Sequence, residues 1–218
     1  PYGLQQVIGT QEHLKNPSIS AIKKQKSTMY VPNNIAICVS GDFDPDEFVA
    51  IIEKYFGTWE PNPSIPEFKY EPEEELTSAV ERHVYGNESD FLLFGWRVPG
   101  VKDKESEIAG IVSSILTNGK AGLIDLDLNQ LQKVLYAGSQ LYDRMDYCDF
   151  LIQGYPKDGQ SMDEVRSLIL AEVAKLRSGD FDESLIEAAI ANIKLRQMRQ
   201  LESNSSRAMM MVNSFIKR

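Results

Sequence analysis

The chain has 218 residues, 42% of them hydrophobic and 25% charged, with a formal net charge of −9. That content at this length supports one large core or two modest ones, and excludes a disordered or fibrous chain. The acidic balance argues against a nucleic-acid partner, which needs a basic face, and fits plain solubility better than long-range attraction of cationic peptides. No apolar run reaches the roughly 18 residues that cross a bilayer, so no membrane-spanning segment is expected. Neither do the first residues show the charged-then-apolar pattern of a leader. Cys38 and Cys148 are the only cysteines. Cys38 lies in an apolar run and Cys148 in a polar-aromatic one, which favours two free thiols over a single disulfide.

In chain order, residues 18–29 read as a helix, with Ser18 or Ser20 as cap and Lys23, Lys24 and Lys26 towards its C-terminal half. Val31-Pro32 breaks it, because the residue before a proline avoids the helical region. Residues 35–39 form a continuous apolar run, expected to be a strand buried on both faces or central in a sheet. Asp44 is a good N-cap, Pro45 suits the first helical position, and Glu47 can close a capping box. Phe48, Val49, Ile51, Ile52 and Tyr55 follow at helical spacing, and Gly57 ends the helix. Acidic crowding at the helix start leaves no place for a phosphate.

Residues 58–77 change character, with Pro61, Pro63, Pro66, Pro72 and an acidic run over 71–75. This reads as an extended linker, stiffened by proline and kept soluble by charge, and it marks a domain boundary. The expected division is 1–60, a linker over 61–79, and 80–218.

Beyond the linker, residues 80–85 and 91–98 look like two strands around a polar turn. Residues 104–116 follow as a helix with Ile108, Ile111, Val112 and Ile115 on one face. After the loop 118–122, a helix is expected through Leu126, Leu128, Leu131 and Val134. Residues 135–142 and 147–155 read as two more strands with a turn near Met145-Asp146. Ser161 and Glu164 make a capping box that opens a helix to about residue 177, stopped at Gly179. Residues 181–201 form a long amphipathic helix with Leu185, Ala189, Ile193 and Met198 facing inward, and 207–216 form another. The cluster Met209-Met210-Met211 reads as core filling before an adaptable binding surface.

The common hydrolytic constellations are missing. His13 and His83 are the only histidines, and neither belongs to a His-x-x-Glu-His or His-Glu-x-x-His motif. Glu12-His13 imitates the end of the inverted motif, but Thr10 stands where the first histidine belongs. No metal site and no catalytic residue is therefore expected within the chain. His13 reads as a surface or loop residue and His83 as a strand residue. There is also no Gly-x-Ser-x-Gly elbow, P-loop or Cys-x-x-Cys.

The opening Pro1-Tyr2-Gly3 and Val7-Ile8-Gly9-Thr10-Gln11-Glu12 come first, then Tyr30-Val31-Pro32-Asn33-Asn34 leading into Gly41-Asp42, and Tyr55-Phe56-Gly57-Thr58-Trp59. In this order they resemble the later part of the first domain of pitrilysin/insulinase-type zinc peptidases, the inverzincins. The second half is similar to the family's second domain, including Leu131-Gln132-Lys133-Val134-Leu135-Tyr136-Ala137-Gly138. The resemblance implies an α+β fold of two α/β-roll-type domains, of the metallopeptidase and ubiquinol-reductase-core type. The first domain is truncated at its N-terminal side, where the catalytic motif would lie, and the second is incomplete at its C-terminal end.

By the same resemblance, the parent is a zinc-dependent metallopeptidase that encloses and hydrolyses peptides, and this chain is a non-catalytic portion of it. An inactive structural or peptide-holding subunit of the same family is the alternative. Zinc belongs to the parent, none to this chain. The partners implied are the peptide substrate and either the missing N-terminal catalytic part or a second half of the same family. Tyr136 matches a tyrosine that in some family members reaches the substrate together with an arginine seven residues earlier, where this chain has Asn129. Tyr136 is thus a candidate substrate contact, beside the plainer reading of a strand tyrosine packing on a helix.

Overall fold

The computed structural model describes residues 9–67, 69 and 71–217. The opening motif up to Ile8, two aromatic residues of the linker and the last arginine lie outside the described residues. The chain divides into two compact units, 1–84 and 85–218.

In the first unit, Thr10 caps α1 (Gln11–Lys15). Ser18 caps α2 (Ile19–Met29), its hydroxyl accepting the Ala21 N–H at 3.3 Å. A 3₁₀ turn at Pro32–Asn34 follows. Asn33 donates its side-chain amide to the Asn62 carbonyl at 2.8 Å and accepts the Asn62 N–H at 3.0 Å. The Asn62 amide in turn reaches the Thr28 carbonyl at 3.0 Å, pinning the start of the proline-rich segment to the end of α2. In α3 (Pro45–Phe56) the Asp44 carboxylate accepts the N–H groups of Asp46 and Glu47 at 2.9 and 3.0 Å, satisfying two donors that the first turn leaves open.

The expected strand over 35–39 is not one. Ile35 takes extended backbone, with φ −125° and ψ 138°, but the segment joins no ladder and Ile37 is exposed. An apolar run becomes a strand only where a neighbour pairs with it, and among the described residues of this unit none does. The expected strand over 80–85 fails for the same reason: no ladder forms there, and Val84 and Tyr85 are exposed.

The second unit carries a three-stranded antiparallel sheet, β1 (Leu92–Pro99), β2 (Tyr136–Tyr142) and β3 (Tyr147–Tyr155), in the order β1-β3-β2. Strand alternation sorts its side chains onto two faces. Phe94, Val98, Ala137, Leu141, Phe150 and Ile152 face a layer of helices. These are α4 (Lys104–Leu116), α5 (Met162–Ser178) and α6 (Ser184–Gln200). Leu116, Ile124, Leu128, Ile152, Val165 and Ile169 are fully buried in that layer. Each is worth about 1.5–3 kcal/mol by transfer from water. At Gly154 a Cβ would stand 2.5 Å from Ile169 and 2.8 Å from Val165, so glycine lets α5 close onto β3.

Ser161 caps α5, accepting the Glu164 N–H at 3.2 Å, and Gly179 ends it in a left-handed conformation, φ 71°. Four sequence expectations are corrected here. The segment after the loop 118–122 is only a short helical stretch, closing with a π-helical turn at Asp125–Gln130, and leaves Leu131 exposed. Ile108 points outward at 51% exposure, while Ser106, Ala109 and Ile115 are buried in α4. α6 starts at Ser184, and its Met198 is exposed at 66%. Met209, Met210 and Met211 lie on α7 (Asn204–Ile216) and are exposed, so they do not fill the core of this unit. Both cysteines are free, Cys38 half-buried and Cys148 buried.

Candidate functional site

Tyr136 opens β2 on the face of the sheet turned away from the helices. Gly138, Gln140 and Tyr142 follow it on that face, with Leu151, Gln153 and Tyr155 beside them on β3. Tyr136 sits opposite Tyr155, ring centroids 6.2 Å apart, and Phe91 stacks on the other side of Tyr155 at 5.8 Å. Tyr136, Gly138, Gln140, Tyr142, Leu151 and Gln153 line a shallow pocket of about 70 Å³. Its floor offers two carboxamides and tyrosine hydroxyls, groups that hydrogen-bond a backbone or a polar side chain. They can hold a ligand.

A larger hollow of about 330 Å³ lies on the helix side of the sheet, among Trp96, Val98, Ile108, Val112, Phe150 and Val173. Glu105 is the one ionisable residue lining it. The rest of its lining is apolar.

Asn129, seven residues before Tyr136, is turned inward. It donates its amide to the Ala137 carbonyl and accepts the Ala137 N–H, both at 2.8 Å. The side chain thus pairs with the strand as another strand would. The neighbouring Asp125 is buried, and one of its oxygens accepts the N–H groups of Asn118, Gly119 and Gly122 at 2.8, 2.8 and 3.2 Å. That carboxylate folds the loop 118–122 around itself. Neither role is visible from residue type alone; the Asn-Gly pair followed by an acid is the nearest signal.

Beside this turn, the Lys175 ammonium meets Asp127 at 2.6 Å and Glu172 at 3.0 Å. Its hydrogen bond holds the Asp127 carboxyl below the usual range. Burial pushes Glu172 up in spite of Lys175. The two carboxylates, Asp127 foremost, raise Lys175 above its ordinary value.

The histidines do not converge on a metal. His13 closes the cap of α1, its Nδ1 accepting the Thr10 N–H at 3.3 Å. His83 lies outside any strand, exposed, with Nε2 3.4 Å from Glu81. Among the described residues, no three His, Cys, Asp or Glu side chains are grouped to hold a metal. The donors among the described residues do not fit zinc. Among the same residues no helix is long and apolar enough to cross a membrane.

The sequence profile of the Peptidase M16 inactive domain matches residues 18–193. The chain belongs to that family, the pitrilysin/insulinase type, and its mixed helix-and-sheet fold is the M16 peptidase fold. It is 23% identical over 202 residues to the zinc protease PqqE of Helicobacter pylori, covering 91% of this chain and 46% of that protein. The crystal structure of a protease from Helicobacter pylori superposes with a TM-score of 0.81 at 22% identity, over 96% of this chain and 52% of the other. A chain of Complex III2 from Candida albicans shares the fold with a TM-score of 0.68 at 15% identity, over 95% and 51%. The chain spans about half the length of these relatives.

Proposed function

We propose that this chain is a non-catalytic portion of a zinc-dependent metallopeptidase and forms part of the wall that encloses its peptide substrate. The match of residues 18–193 to the family's inactive domain carries this reading. The zinc and the activated water belong to another part of the full-length protein or to a second family half, on a His-x-x-Glu-His helix. The open sheet face around Tyr136 is the surface turned to the peptide, where Gln140, Gln153 and the tyrosines hold an extended chain with little regard to its sequence. Asn129 fits a half that does not supply a cation to the reacting carbonyl, because its amide is spent on Ala137.

Cleavage of a quenched peptide by the full-length protein, with and without chelator, tests the proposal. Chelator-sensitive cleavage is the expected result. The match to the family's inactive domain also supports a second reading, an inactive structural or peptide-holding subunit. Peptide binding without cleavage selects that reading instead.

A further inference from the structure

In the second unit β2 lies at one edge of the three-stranded sheet. Along the outer edge of β2, Ala137 and Ser139 are two residues apart, so their backbone groups point the same way, away from β3. Both are taken by side chains. Asn129 holds the Ala137 N–H and C=O at 2.8 Å each. The Thr117 hydroxyl oxygen accepts the Ser139 N–H at 2.9 Å and lies 3.2 Å from the Ser139 carbonyl. Thr117 is the C-cap residue of α4, and Asn129 sits in the π-helical turn, so one segment brings both to the strand.

That segment is itself tied down. Asp125 gathers three N–H groups of its loop, Gln130 reaches the Lys120 carbonyl at 2.7 Å, and Lys175 grips Asp127 from α5. Ala137 beneath it is fully buried.

We propose that residues 117–130 are a clasp that closes the β2 edge to strand addition, with Asn129 and Thr117 as its two backbone-mimicking catches. An exposed edge of this kind is a template for any extended chain, whether a peptide held in the enclosure or a second copy of the protein. The clasp confines such pairing to other surfaces. An amide and a hydroxyl suit the task because each presents to the backbone what a neighbouring strand would, without adding a further open edge.

The test is the double variant Asn129→Ala/Thr117→Val in the full-length protein, followed by hydrogen exchange and sedimentation over a range of concentrations. The amides of Ala137 and Ser139 are expected to exchange about tenfold faster or more, and the variant to self-associate about tenfold more strongly than wild type. The β2–β3 ladder stays protected. A folded variant with unchanged protection and unchanged association overturns the proposal. Faster exchange without association also overturns it, since the segment would then hold its own turn and guard nothing. Should the double variant fail to fold, Thr117→Val alone, which keeps the side-chain volume, is judged by the same two readouts. Thr117→Ser restores the hydroxyl and should behave as wild type.

Discussion

The Tyr136 hydroxyl lies over Gly138 on the same face of β2, so near that a Cβ at Gly138 would stand 2.4 Å from it. The glycine lets the ring lie along the strand instead of standing off it. Since the obstructed atom is the far end of a side chain that can swing, Gly138→Ala should change stability by no more than about 1 kcal/mol. It should nonetheless displace the tyrosine. If this face holds substrate, peptide cleavage by the full-length protein falls while the urea midpoint holds. Tyr136→Phe, which keeps the ring and removes the hydroxyl, separates packing from hydrogen bonding.

Installing the family's cation should gain nothing. Asn129→Arg breaks the reciprocal pair with Ala137 and leaves buried backbone groups unmet, a cost of about 1–3 kcal/mol. Thermal and urea unfolding should both show the loss. Peptide cleavage should not rise, because the position is committed to the strand edge and not to the open face.

Asp125→Ala removes the acceptor of three backbone N–H groups at a buried position. A destabilisation of about 2–4 kcal/mol is expected, along with rapid amide exchange at Asn118, Gly119 and Gly122. Unchanged protection of those amides would contradict the role given to the carboxylate.

The Asp127–Lys175–Glu172 group predicts a specific pH response. Asp127, held low by Lys175, contributes stability that is present above its unfolded pKa and lost as pH falls through the folded one. Glu172 has the opposite sign. Raised by burial, it binds more protons in the native state, so its effect on stability is least favourable at neutral pH and improves on acidification. Lys175, raised in its turn, loses its contribution only as pH climbs past the ordinary lysine range. In wild type the two carboxylates oppose each other below neutrality. Lys175→Met leaves Glu172 buried at 3% exposure without its cation. With the lysine half-exposed, the expected loss near pH 7 is about 2 kcal/mol, and part of it should return from neutral to mildly acidic pH as Glu172 takes up a proton. Urea denaturation across that range measures both.

The local grammar of the sequence carried well wherever a side chain acts on its own helix. Asp44-Pro45 opens α3, Ser161 opens α5 by accepting the Glu164 N–H without the reciprocal half of the expected box, and Gly179 closes it. β2 and β3 were legible as alternating runs, since each finds its partner across a short turn. Residues 35–39 and 80–85 were not, because an apolar or alternating run fixes extended backbone but not the neighbour that makes a strand. The methionines of α7 misled in the same way: residue type speaks for burial, yet all three are exposed. At the candidate site the motif singles out Tyr136 as an expectation, and Asn129 only as a departure from it. Its engagement with Ala137 depends on a π-helical turn that no residue pattern announces.

Zinc content, by elemental analysis of this 218-residue chain and of the full-length protein, tests the central claim most directly. The account predicts zinc in the full-length protein or in its assembled partner half, and none held by this chain alone. Stoichiometric zinc in the chain by itself would contradict it, and would place a metal site among residues read here as a wall.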